Sequence, residues 1–225
     1  MSDIPAVDVQ TLNSLQRQAK DHFAMGRLAG AAHLSRRGLA LSEGDLGRGH
    51  GDTMEYRNDL ARACRAAGRH TEAISLYQET LEVLERQHGM EHPGSLRARS
   101  RVANAYYAAG RYQEAAGMFQ ETLDLREKIL GPNHPDTLRS RSSLANSYHA
   151  TGRYQEAAAL HKATLAARQR VLGHGHPRTL ASRYRLAAAG RQAWPGRSVR
   201  QDRVEFMLLS AAHDPEAKNI IRPVY

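Results

Sequence analysis

The chain has 225 residues, 41% of them hydrophobic and 24% charged, enough apolar material for one domain or one repeat array and too balanced for wholesale disorder. Its 32 Lys and Arg against 23 Asp and Glu leave a net charge of +9, which favours acidic peptides, nucleic acid or anionic lipid without choosing among them. The single cysteine, Cys64, excludes an intramolecular disulfide framework and a multi-cysteine zinc site, and fits a reducing, cytoplasmic setting.

At the N-terminus, Met1-Ser2-Asp3-Ile4-Pro5 carries no basic or apolar region of the kind a secretory signal needs. No later run approaches the roughly 18 apolar residues of a membrane span. What dominates instead is a period. Gly-Arg recurs at Gly26, Gly68, Gly110 and Gly152, and His-Pro at His92, His134 and His176, each 42 residues after the last. One period earlier stands His50-Gly51, where the His is kept and the Pro lost. Two independent markers on one period identify an internal repeat.

The first copy is weak, with Ala19, His22, Gly26 and Ala31. The second carries Leu60, Ala61, Cys64, Gly68, Ala73 and Tyr77, and the third Val102, Ala103, Tyr106, Gly110, Tyr112, Ala115 and Phe119. In the fourth, the spacing of Leu138, Leu144, Ala145 and Tyr148 predicts a helix over Pro135 to Ala150, with Pro135 in a first turn that does not need its N–H. Gly152 supplies the break. A second helix is expected from about Tyr154 to Val171, with Ala157, Leu160, His161, Thr164, Leu165 and Val171 near its inner face, closed by Leu172-Gly173. After His176-Pro177 a further first helix begins, with Leu180 and Leu186-Ala187. The pattern then breaks: Trp194 stands where Gly is due, followed by Pro195-Gly196. The expected organisation is a repeat array over 1–195, with about four to four and a half repeats of 42 residues. A C-terminal capping helix (198–213) and tail would complete it over 196–225. An array with an exposed apolar end permits homo-oligomerisation through residues 198–213.

These copies resemble the tetratricopeptide repeat (TPR). The stretch Leu130-Gly131-Pro132-Asn133-His134-Pro135-Asp136-Thr137-Leu138 is similar to the 42-residue variant of kinesin light chains and many bacterial signalling proteins. The resemblance implies an all-α fold, an α-solenoid of stacked antiparallel helix pairs forming a TPR superhelix. It also implies protein–protein interaction rather than catalysis.

Candidate chemistry is sparse. His50, His92, His134 and His176 repeat at the structural period and are read as caps of their own helix pairs, not as a metal site. His174 and His176 alone make a poor two-His site. Cys64 falls at the packing position of Tyr106 and Tyr148. Glu79/Glu82 and Glu121/Asp124 are read as solvated helix faces. Gly26, Gly38, Gly44, Gly47 and Gly49 lack the Gly-Lys-Ser/Thr ending of a phosphate loop. No enzyme, cofactor or metal is expected.

Carrying the family's ligand-facing positions onto this chain gives a concave groove. Just after the packing Ala stand Arg62, Asn104 and Asn146; just before the Leu or Val, Asp59, Arg101 and Ser143. Four residues earlier come Glu55, Arg97 and Arg139, and on the later turn Arg65, Tyr107 and His149. Asn104 and Asn146 resemble an asparagine ladder, whose amides both donate to and accept from a peptide backbone. Arg62, Arg65, Arg97, Arg101 and Arg139 suit bidentate binding of carboxylates. The expected ligand is an extended, acidic peptide or partner protein. A regulatory or sensor array working with a signalling ATPase or transcription regulator is the related alternative. Nonspecific nucleic-acid binding through phosphates is the other, weakened by an aromatic content of only 6%.

Overall fold

Nine α-helices account for most of the 9–193 stretch that the computed structural model describes, with no strand among those residues. The expected capping segment 196–225 lies outside it. The helices are α1 (Val9–Ala24), α2 (Leu28–Asp45), α3 (Gly51–Ala66), α4 (His70–His88), α5 (Pro93–Ala108), α6 (Tyr112–Leu130), α7 (Pro135–Ala150), α8 (Tyr154–Leu172) and α9 (Pro177–Ala193). They fall into two compact units that part after Gly152. In the first, each helix from α1 to α7 packs on its neighbour in the chain, and α1 also meets α3. In the second, α8 packs on α9.

Two kinds of turn explain why the helices stop where they do. After α3, the Gly68 N–H bonds to the Arg65 carbonyl and the Arg69 N–H reaches back to Cys64 at 2.8 Å, a Schellman closure with Gly68 at φ +77°. The same bonds form at Gly26 and Gly110. The longer turns use His in place of Ser or Asp. His134 is extended at φ −63°, ψ 141°, and its Nδ1 accepts the Asp136 N–H at 3.2 Å, satisfying one of the orphan donors of α7. His50, His92 and His176 do the same for Asp52, Gly94 and Arg178. The Thr of the motif closes the turn from the other side. Thr137 donates to the Arg126 carbonyl at 3.4 Å, and Thr53 to Ser42 at 3.2 Å, tying each first helix to the end of the preceding one.

The core lies between neighbouring helices. Leu12 and Leu15 of α1, Leu39 of α2, and Tyr56, Leu60 and Cys64 of α3 form one cluster. Ile74, Tyr77 and Leu81 of α4 pack with Ala98, Val102 and Ala105 of α5 in the next. Ala61, Ala103, Ala145, Ala73, Ala115 and Ala157 are fully buried, so the helices approach closely, while Tyr77 and Phe119 fill the gaps. Burying each large side chain contributes about 1.5–3 kcal/mol. Gly38 serves a different end: a Cβ there would run into the Tyr56 ring, whose hydroxyl crosses to the Leu12 carbonyl of α1.

A set of arginines, at the same period, is sunk into these contacts. Arg57, Arg99 and Arg141 pair with Glu43, Glu85 and Glu127 near the end of the preceding helix. Arg99 also meets Glu121 of α6 at 2.6 Å, and Arg57 lies 3.6 Å from Glu79 of α4. Glu79 and Glu121 are therefore not merely solvated: their exposed carboxylates reach back to a buried guanidinium. Arg126 is buried with no ion-pair partner among the described residues. It donates instead to Ser140 Oγ at 2.5 Å and to the Leu96 and Asp136 carbonyls, and burial lowers its pKa. In the second unit Arg168 repeats the bond to Ser182 at 2.6 Å.

One apolar expectation needs correction, that for Val171, and Leu180 also departs from its period. Val171 is 49% exposed and Leu180 is 47% exposed, although Leu138, one period before Leu180, is buried. Val171 sits in the last turn of α8, past the point where α8 is covered. Leu180 lacks, among the described residues, the following second helix that each earlier first helix has.

Candidate functional site

Positions 55, 59 and 62 of α3, 97, 101 and 104 of α5, and 139, 143 and 146 of α7 lie at i, i+4 and i+7 on their helices, so each trio forms one stripe. The packing residues Leu60-Ala61, Val102-Ala103 and Leu144-Ala145 are buried, which turns the intervening stripe away from the core. Arg97, Arg101, Asn104 and Arg139 are exposed, whereas Arg62, Arg65, Asn146 and His149 are half-buried.

Their local partners differ. Arg62 pairs with Asp59 at 3.0 Å and lies over the Phe23 ring of α1, 4.5 Å from its centre. Arg65 hydrogen-bonds the Tyr77 side chain, and Arg139 pairs with Asp136 at 2.9 Å. Tyr107 stands edge-on to Tyr112 at 5.1 Å. Asn104 donates one amide N–H to the Ser100 carbonyl of its own helix at 2.6 Å. Asn146 holds the corresponding place on α7. Arg97 and Arg101 have no carboxylate within ion-pair distance among the described residues.

Helix α1 adds residues that the sequence reading did not single out. Arg17 and Lys20 stand one period before Asp59 and Arg62 and are exposed. Gln16 of α1 donates to Glu55 of α3 at 2.6 Å. The Asp59 carboxyl is pushed up by burial, against the opposing pull of Arg62, Lys20 and Arg101, with Glu55 adding to the rise. Asp59 thus feels charges from α1, α3 and α5 together, which brings these three first helices to one surface. The signal was available in the sequence as the residues one period before the α3 stripe.

The remaining reactive groups are occupied by structure. Cys64 is buried, its thiol is pushed up to about 11 by burial and by the adjacent Glu72, and it bonds that carboxylate. A neutral, enclosed thiol is a poor nucleophile. The periodic histidines spend Nδ1 on helix caps. Among the described residues no group of three or more His, Cys, Asp or Glu comes together to hold a metal ion, and no helix is long and apolar enough to cross a membrane.

Comparison with known proteins agrees with this architecture. A family model for the tetratricopeptide repeat matches residues 9–86, 52–128, 94–170 and 142–193. The crystal structure of a Podosopora anserina protein assigned to the kinesin light chains, with nearly identical TPR-like repeats, aligns at a TM-score of 0.75 and 28% identity, covering 89% of this chain and 95% of that one. A substituted form of the same protein gives 0.77 and 27%, covering 92% and 98%. BtubC (BKLC) from P. vanneervenii, at 17% identity, 0.63, and coverage of 96% and 94%, shares the fold. No curated protein matches.

Proposed function

The chain belongs to the tetratricopeptide repeat family, and from that premise we propose that its first-helix face holds an extended, acidic segment of a partner protein. Repeats of this family are generally protein–protein interaction modules. The observation that carries the finer reading is the pair Arg97 and Arg101, exposed on α5 with no carboxylate in reach. Two other exposed arginines, Arg111 and Arg139, are neutralised by a carboxylate three residues away. Two unneutralised guanidiniums beside Asn104 offer bidentate sites for side-chain carboxylates next to an amide for the peptide backbone.

Catalysis has no place in this reading, since the face acts by shape, hydrogen bonding and charge. A cytoplasmic setting suits a chain whose one cysteine is enclosed and reduced. The test is fluorescence anisotropy with labelled acidic, neutral and basic peptides on the wild type and on an Arg97→Glu/Arg101→Glu variant of unchanged helicity. Each exposed pair is worth about 0.2–1 kcal/mol, so reversing both charges should weaken the acidic peptide about tenfold or more. An equal affinity in both proteins, or no preference for the acidic peptide, overturns the proposal. A nucleic acid that competes fully at moderate salt would transfer the site to phosphate binding.

A further inference from the structure

The stripe is not uniformly basic, and its sign changes from helix to helix. Arg17, Asp59 and Arg101 occupy one register position, each 42 residues after the last. Across α1, α3 and α5 the charges there run positive, negative, positive. One turn towards the N-terminus, Glu55 of α3 is followed by Arg97 of α5. Glu55 is exposed; its carboxylate accepts from Gln16 and has no cation within ion-pair distance among the described residues. Asp59 is half-buried and already paired with Arg62. Among the described residues the surface therefore offers one acid with no cation within ion-pair distance, Glu55 of α3, between the basic residues Arg17 and Lys20 of α1 and Arg97 and Arg101 of α5.

We infer, on the groove reading above, that the partner segment is patterned acid–base–acid rather than uniformly acidic, with a Lys or Arg seated on Glu55. An extended segment that crosses α1, α3 and α5 in order meets Glu55 between the two basic groups, so its cation has an acid on each side. A wholly acidic segment would bring a carboxylate against Glu55, and like charges brought together across an interface select against the wrong partner.

Two labelled peptides of identical composition separate this from a simple charge effect. Both are acidic overall and carry one Lys, placed at the centre in one and at an end in the other; a third has Asp in place of Lys. On the wild type the central-Lys peptide should bind about fivefold tighter than its isomer, the scale of one exposed ion pair. Glu55→Lys should erase that ratio and favour the third peptide. Glu55→Gln, which keeps a partner for Gln16, should erase it without the reversal. Equal affinities for the isomers on the wild type, or a ratio that survives both substitutions, refute the pattern. If the isomers bind equally yet both are lost on Arg97→Glu/Arg101→Glu, the groove stands and only the pattern falls. If none of the three peptides binds, the groove reading itself has failed.

Discussion

Arg99 allows a sharp test of what holds the repeats together, because its partners differ so much in exposure. Its side chain is 8% exposed, whereas Glu85 is 25% and Glu121 is 64% exposed. Removing the arginine frees two carboxylates that already see water. Arg99→Met keeps most of the packing volume, so the loss should be about 1–2 kcal/mol. Removing both acids strands a guanidinium among α4, α5 and α6 with no counter-charge. Breaking a buried pair from that side costs about 3–5 kcal/mol, so Glu85→Ala/Glu121→Ala should be the more damaging change although each acid is the more exposed partner. Urea titration followed by helical circular dichroism compares the two variants. Hydrogen exchange then locates the loss, which should concentrate in α4 to α6 because each helix is supported by its neighbours. Acid removal that costs no more than Arg99→Met would show that water already reaches the guanidinium and that the burial argument is wrong.

Two further outcomes follow from single contacts. His134→Ala should lower stability by about 1 kcal/mol through loss of the bond to the Asp136 N–H, and His134→Asn, which accepts the same bond, should recover most of it; equal urea midpoints for the Ala and Asn variants would rule out the capping role. Cys64 provides the pH dependence. Its thiol is raised from 9.0 to about 11 by burial, so the folded state holds the proton more tightly. That contribution is complete below pH 9.0 and is lost as the pH climbs through about 11. Comparing urea midpoints across this range should show a decline in the wild type that is smaller in Cys64→Ala, and parallel declines would refute it.

The helices were legible because each boundary has its own chemistry. Pro135 and Gly152 marked the ends of α7, and the 42-residue period copied that reading onto less regular repeats, including His50-Gly51, where the cap survives without the proline. The buried arginines were harder to read. Arg57, Arg99 and Arg141 share the period as plainly as the glycines do. A charged residue is ordinarily assigned to solvent, however, and only the neighbouring helix shows that Glu43, Glu85 and Glu127 are waiting for it.

The same contrast locates the candidate site. Packing positions repeat because each must fit nearly the same neighbour: Leu60, Val102 and Leu144 in one row, Ala61, Ala103 and Ala145 in the next. The stripe beside them varies more, from Arg17 to Asp59 to Arg101 to Ser143 in one row and from Glu55 to Arg97 in another, where Arg139 then repeats Arg97. These side chains lie beside the packing rows rather than in them, although Glu55 and Arg62 still touch Gln16 and Phe23 of α1. On the proposed reading, a partner lying across α1, α3 and α5 meets a charge that changes sign from Arg17 to Asp59 to Arg101. It can therefore be read in one register and one direction, which a perfectly repeated surface could not enforce. On the proposed reading the departures from the period, more than the period itself, give the chain its specificity.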